Sequence, residues 1–107
     1  APSRLSAETA ARLRKVIAIM RRYREHWRGA QIAPVGNRPD GRAITGFYAD
    51  SGYLLVFREL EAPEQTKLAL PEFAGAELLY GTGEAKLAAD GTAMLAQPGA
   101  AALFRLR

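Results

Sequence analysis

The chain has 107 residues, a size typical of one domain, and its 49% hydrophobic and 24% charged residues are ordinary for a folded globular protein. It contains no cysteine, which excludes a disulfide framework, a thiolate nucleophile and a cysteine zinc site, and which favours a cytoplasmic location. No apolar run approaches the roughly 20 residues that span a bilayer. We therefore expect neither a signal peptide nor membrane association, and the start at Ala1-Pro2 suggests a piece of a longer protein.

The net charge of +4 is unevenly distributed. Residues 1–28 hold eight Lys or Arg and two Glu, a net charge of +6. The rest of the chain holds seven basic and nine acidic side chains, a net charge of −2. All of the basic character therefore belongs to the N-terminal segment.

This N-terminal segment has the periodicity of an amphipathic helix. Ser6 can cap its start, and Gly29 stands where a helix C-terminus favours a left-handed residue. Its apolar side chains share one stripe at helical spacing: Leu13, Val16, Ile17, Met20, Tyr23 and Trp27. We predict one long helix over 6–27, with residues 1–28 as a helical unit and residues 29–107 as a second unit.

The pattern changes after Gly29, where prolines and turn signals divide the chain into short runs. Seven or eight short strands joined by tight turns are typical of an antiparallel β-sandwich or barrel. The predicted strands are 43–49, 53–58, 66–70, 76–80, 85–88, 92–96 and 101–106, with 30–35 as a possible eighth. The fold class is thus mainly β, an antiparallel β-sandwich preceded by the long helix.

Two connections are predicted to be hairpins. Asp50-Ser51-Gly52 joins the runs 43–49 and 53–58, and Ala89-Asp90-Gly91 joins the runs 85–88 and 92–96, with Gly91 supplying the positive φ that such turns need. The run 53–57 is apolar on both faces. It is therefore expected to be a central strand, buried between another strand layer and either the helix or a neighbouring domain.

Catalytic and metal-binding patterns are weak in this chain. The single histidine, His26, is more typical of a solvated or locally hydrogen-bonded side chain at a helix end than of a ligand or base. Three serines lie in an end, a cap and a turn, where no catalytic triad forms: Ser3, Ser6 and Ser51. Three glutamates are expected to lie in a solvated surface loop: Glu59, Glu61 and Glu64. We predict no catalytic residue, no metal site and no cofactor.

Two binding functions compete with a purely structural role. The basic helix could follow a phosphate backbone, but its arginines are spread around the helix, so nucleic-acid binding is the less favoured hypothesis. Four aromatic side chains could form a carbohydrate platform, although core packing is favoured for them: Trp27, Tyr48, Tyr53 and Tyr80. The apolar stripe packs either on the chain's own sheet or on another domain, and we favour the second.

Several short motifs occur along the chain in an order that can be compared with known protein families. RRYREHW at 21–27 is followed by IAPVG at 32–36, TGF at 45–47 and GYLLVFRE at 52–59. The chain closes with LLYG at 78–81, an Asp-Gly turn at 90–91 and PGAAALFRL at 98–106. Over nearly its whole length, the chain resembles the C-terminal end of α-galactosidase-like enzymes, the melibiase or family-36 glycoside hydrolases.

The resemblance implies a specific role. In such enzymes the last helix of a catalytic (β/α)8 barrel runs into a β-sandwich that packs against the barrel, and the two catalytic aspartates lie in the barrel. Residues 1–28 would be that last helix, and no catalytic residue would lie in this chain. We therefore expect a non-catalytic C-terminal accessory domain whose partner is the barrel of the same parent chain. The residues expected to dock are Leu13, Ile17, Met20 and Arg24.

Overall fold

A computed structural model describes residues 14, 17, 18, 21–36 and 42–107 of the chain. This part of the chain contains eight strands. They are β1 Ile32–Pro34, β2 Ile44–Ala49, β3 Tyr53–Arg58, β4 Gln65–Lys67, β5 Ala76–Gly81, β6 Ala85–Leu87, β7 Thr92–Leu95 and β8 Ala101–Leu106.

The strands form two antiparallel sheets. The large sheet has the order β1-β2-β3-β8-β5, and the small sheet has the order β4-β7-β6. The prediction of a mainly β, antiparallel fold with seven or eight short strands is confirmed. β8 lies between β3 and β5, so the last strand of the chain is inserted inside the large sheet, next to its edge strand β5.

Both predicted hairpins are present. β2 pairs with β3 from Ala49↔Tyr53 outward, and the turn between them places Gly52 at a φ of 98°. β6 pairs with β7, and the turn between them places Gly91 at a φ of 93°. These positive φ values disfavour any residue with a Cβ, which explains why glycine occupies both turns.

The core between the two sheets is built from the alternating side chains of the central strands. On the large sheet, Leu54, Val56 and Leu106 are buried on the inner face, the face turned towards the small sheet. On the small sheet, Ala93 and Leu95 are fully buried against them. Each large side chain removed from water here contributes roughly 1.5 to 3 kcal/mol. This core holds the two sheets together.

β3 is buried on both faces, as the apolar run predicted. Leu54 and Val56 belong to the core between the sheets, whereas Tyr53 and Leu55 belong to a second cluster on the opposite face. All four side chains are at most 6% exposed. The large sheet therefore has packed layers on both sides, with the small sheet on one of them.

The long N-terminal helix predicted over 6–27 is not found among the residues that the structure describes. Arg14, Ile17, Ala18, Arg21 and Arg22 have helical backbone, but the described residues contain no complete α-helix, and the rest of 6–20 lies outside them. The segment ends in a 3-10 turn at Arg24–His26, so an α-helix does not run through Trp27. The Trp27 N–H donates to the Arg24 carbonyl at 3.3 Å, an i→i+3 bond that tightens the last turn. Gly29 follows with a φ of 79°, as predicted.

Candidate docking surface

The second face of the large sheet, here called the outer face, carries an apolar layer that is only partly covered. The buried side chains of this layer are Ala49, Tyr53, Leu55, Ala101 and Leu103. Tyr23 and Trp27 of the N-terminal segment pack against it, as do Ala30, Phe57, Leu79 and Tyr80. The centre of the outer face is therefore covered, whereas Ile32 and Phe47 on β1 and β2 stay half exposed.

A shallow cleft, here called the outer cleft, lies where this cover ends. It is lined by Trp27, Ile32, Phe47, Ala49, Tyr53, Leu55 and Leu103. Strand register explains the arrangement, because two rows of paired residues cross the sheet and point to one face. One row is Ile32, Ala49 and Tyr53, and the other is Phe47, Leu55 and Leu103. Every lining side chain is apolar or aromatic.

Two side chains of the outer cleft remain open to solvent. Ile32 and Phe47 are each 47% exposed, although their row neighbours Ala49 and Leu55 are buried. Isolated exposed apolar side chains are common on protein surfaces. A contiguous group that continues a buried cluster instead marks a surface for an interaction.

A stack of three side chains fixes the floor of the outer cleft. The Trp27 ring meets the Tyr53 ring edge to face, with centroids 6.3 Å apart and planes at 78°. The Arg105 guanidinium lies 4.9 Å from the centroid of Tyr53 and donates from Nη1 to the tyrosine hydroxyl. Because the guanidinium attracts the ring and the hydroxyl together, Tyr53 has one preferred orientation.

Arginines surround Trp27 in the N-terminal segment. Arg21, Arg22, Arg24 and Arg28 are all exposed. Arg28 forms an exposed ion pair with Glu25 at 3.6 Å, and Arg22 lies 5.7 Å from the Tyr23 ring centroid. Residues 21–30 contain one carboxylate, so the segment that carries Trp27 has a net positive charge. The exposed Asp50 carboxylate, which accepts the Gln31 N–H at 3.1 Å, lies next to the Ile32–Ala49 pair of the cleft.

The predicted docking residues fall partly within the described chain. Ile17 is 40% exposed, and Arg24 is exposed. Leu13 and Met20 lie outside the described residues, as does the side chain of His26. An exposed Ile17 shows that this position of the stripe is not buried on the chain's own sheet.

The aromatic side chains considered for a carbohydrate platform divide between two faces. Tyr48 packs against the core between the sheets, whereas Trp27, Tyr53 and Tyr80 belong to the outer-face cluster. Tyr53 is 6% exposed, and its ring is engaged by Trp27 and Arg105. Tyr53 therefore offers little free ring surface for stacking on a sugar.

A second pocket of about 160 Å³ lies at the opposite end of β3 and β8. It is lined by Phe57, Thr82, Gln97, Pro98, Gly99, Ala100 and Ala101. The Thr82 hydroxyl accepts from the Ala101 N–H at 2.9 Å and lies 3.4 Å from the Ala101 carbonyl, so it serves the backbone. No acidic or basic side chain lines this pocket, which leaves it without an acid or base.

The titratable groups give no catalytic arrangement in the part of the chain that the structure describes. No group of three His, Cys, Asp or Glu side chains is placed to hold a metal ion there. Glu61 and Glu64 are exposed, and Glu59 is half-buried. The pKa of Asp90 is lowered because its carboxylate accepts the Thr92 N–H at 2.9 Å within a turn.

Arg58 has a structural role that the sequence pattern did not predict. Its Nε and Nη2 donate to the Ala62 carbonyl at 3.2 and 3.0 Å, and its Nη1 donates to the carbonyls of Leu95 and Ala96 at 2.9 and 3.1 Å. The side chain thereby ties the β3–β4 connection to the end of β7. No local motif predicts the bonds to Leu95 and Ala96, because both acceptors are backbone carbonyls of residues distant in sequence.

Comparison with known proteins adds no relative. No family model matches the chain, and no curated protein or solved structure matches it significantly. Among the described residues, no helix has the length and apolar character needed to cross a membrane.

Proposed function

We propose that this chain is a non-catalytic accessory domain that packs against a second domain through its outer face. Following the resemblance of its motifs, we propose that the second domain is the catalytic barrel of an α-galactosidase-like glycoside hydrolase. The observation that carries the proposal is the outer cleft, in which the half-exposed Ile32 and Phe47 continue a buried apolar layer. The role of the chain is then mechanical.

The chemistry of the outer face supports packing over small-molecule binding. A ligand site combines an apolar cavity with a few convergent polar groups that orient the ligand. The outer cleft is shallow, and the polar groups beside it, the Tyr53 hydroxyl and the Arg105 guanidinium, bind each other. A broad apolar surface of this kind gains free energy by excluding water against another apolar surface, at about 25 cal/mol per Å² buried.

The N-terminal segment supports the same interpretation. Tyr23 and Trp27 pack on the outer face, while Ile17, on the same predicted stripe, stays 40% exposed. An apolar stripe that is buried at one end and open at the other fits a segment that passes from the sandwich onto another domain. Ile17 and the outer cleft would then belong to one continuous interface.

The direct test of this proposal is the coding sequence on the 5′ side of the Ala1 codon. The proposal expects an open reading frame that encodes an α/β barrel with paired aspartates at strand ends. Expressed with the present chain, that protein should hydrolyse α-galactosides, whereas the 107-residue chain alone should not. An initiation codon directly before Ala1 would contradict the glycosidase assignment.

A further inference from the structure

We propose that the outer cleft accepts an apolar side chain from an acidic protein surface, whose carboxylates meet the arginines around Trp27. This inference rests on the proposed function and specifies the chemistry of the surface that the outer face contacts. Two features carry it, the apolar lining of the cleft and the charge of the segment that borders it.

The lining determines what enters the cleft. Ile32 and Phe47 are each 47% exposed, and the floor beneath them is Leu55, Leu103 and the Trp27–Tyr53 pair. An aliphatic or aromatic side chain placed here would bury both exposed residues. A phosphate placed at the same position would lose its water against a lining whose side-chain polar atoms are the Trp27 indole N–H and the Tyr53 hydroxyl, which are too few to replace its hydration shell.

The charge of the segment beside the outer cleft determines which residues of the partner can surround the bound apolar side chain. Arg21, Arg22, Arg24 and Arg28 are exposed within seven positions of Trp27, against one carboxylate, Glu25, which already pairs with Arg28. Unpaired guanidiniums around an apolar centre are complementary to carboxylates, which they bind in a two-pronged geometry. The partner surface is therefore apolar at its centre and acidic at its rim.

The same charges argue against two other occupants. A second copy of the chain would bring the same arginines together and incur repulsion. A nucleic acid would satisfy the arginines but would leave the apolar centre facing phosphates. An acidic protein surface with an apolar side chain at its centre is complementary to both the arginines and the apolar lining of the cleft.

The chain contains its own reporter, since Trp27 is the only tryptophan and lines the cleft. We would titrate the full 107-residue chain with three synthetic peptides that share a Leu-Phe-Leu centre and differ in their flanks, which are glutamate, serine or lysine. The glutamate peptide should shift the Trp27 emission to shorter wavelength and bind about tenfold or more tightly than the lysine peptide. The preference should shrink when salt rises from about 0.15 M to about 1 M, where the Debye length falls from about 8 Å to about 3 Å.

Three variants locate the binding. Phe47→Ser should weaken binding of the glutamate peptide about tenfold, whereas Leu60→Ser, at 42% exposure in the β3–β4 connection, should leave it unchanged. Arg21→Gln with Arg24→Gln should abolish the preference for glutamate and retain binding of the serine peptide. Unchanged thermal unfolding of each variant shows that the fold is intact.

The outcomes separate this inference from the proposed function. Equal binding of all three peptides, lost in Phe47→Ser, would overturn the acidic partner and leave the docking face in place. Tighter binding of oligothymidylate than of the glutamate peptide would also overturn it, in favour of nucleic acid. Absence of any peptide binding would overturn it as well, while the upstream coding sequence decides the proposed function independently.

Discussion

Arg58 donates to three backbone carbonyls that belong to two separate parts of the chain, at Ala62 and at Leu95 and Ala96. We expect Arg58→Lys to lower the free energy of unfolding by about 2 kcal/mol, because one ammonium cannot reach all three carbonyls and an unsatisfied buried carbonyl costs about 1 to 3 kcal/mol. Urea unfolding monitored by circular dichroism measures this difference.

The control for this prediction is Arg107→Lys. Arg107 has a side chain that is 70% exposed and pairs with Glu77 at 3.1 Å. Exposed ion pairs contribute little, so its unfolding free energy should change by less than about 0.5 kcal/mol. Equal losses in both lysine variants would contradict the role assigned to Arg58.

Asp90 links stability to pH through its turn. The hydrogen bond from the Thr92 N–H lowers the pKa of the folded-state carboxyl below the ordinary value of 3.8. The stabilisation is therefore fully present above about pH 4 and is lost as the pH falls through the folded pKa. Asp90→Asn retains an acceptor without a charge, so this variant should lose less stability than the native chain between about pH 5 and pH 2. Urea midpoints across that range test it, and identical pH profiles would contradict it.

The β6–β7 hairpin depends on a glycine for two reasons. Gly91 has a φ of 93°, and a Cβ on it would lie 2.9 Å from the Leu68 carbonyl oxygen. We expect Gly91→Ala to lower the unfolding free energy by about 2 kcal/mol or more, measured by urea unfolding. Gly75→Ala is the matched control, since a Cβ there meets nothing within 4 Å and should cost little.

The N-terminal segment is an element whose packing can be tested through Trp27. Its ring covers Tyr53 on the outer face, with centroids 6.3 Å apart. Trp27→Ala should lower the unfolding free energy by about 2 kcal/mol, since it exposes the outer-face cluster, and Trp27→Phe should restore about half of the loss. Thermal unfolding followed by circular dichroism measures both. An unchanged alanine variant would mean that the segment does not pack on the sheet.

Strands with a clear local signal were predictable from the sequence. β3 and β8 match the predicted runs residue for residue, because their long apolar stretches end at turn residues. β4 is Gln65–Lys67 rather than 66–70, since the Gly91 N–H, which would be opposite Leu68 in the ladder, donates to the Ala88 carbonyl in the β6–β7 turn. Strand length thus depends on the partner strand as well as on the local pattern.

The prediction of a helix over 6–27 shows the same limit at its C-terminal end. The stripe was read as helical through Trp27, but Tyr23 and Trp27 leave helical geometry around the 3-10 turn Arg24–His26. Packing of the Trp27 ring against Tyr53 accompanies this change. The periodic pattern shows which face of a predicted helix is apolar. It does not show at which residue the last turn becomes a 3-10 turn.

At the scale of the whole molecule, the sequence predicted an antiparallel sandwich but not its topology. Insertion of β8 between β3 and β5 is a long-range pairing that no turn specifies. The outer cleft follows from that topology, because Leu103 of β8 must lie beside Leu55 of β3 to complete its second row. Docking through Ile17 and Arg24, which are both exposed, stays a prediction, and Ile32 and Phe47 of the outer cleft were not predicted.

The central claim is that the outer face packs against a second domain, and one substitution placed in two contexts tests it most directly. Phe47→Asp should leave the melting temperature of the 107-residue chain unchanged, since Phe47 is 47% exposed there. In the two-domain protein that we propose, the same variant should lower the temperature of inactivation by about 4 °C or more, because a carboxylate is then buried at the interface. Leu60→Asp, at 42% exposure elsewhere, should have no such effect. Equal inactivation temperatures for Phe47→Asp and the unmodified protein would contradict the claim.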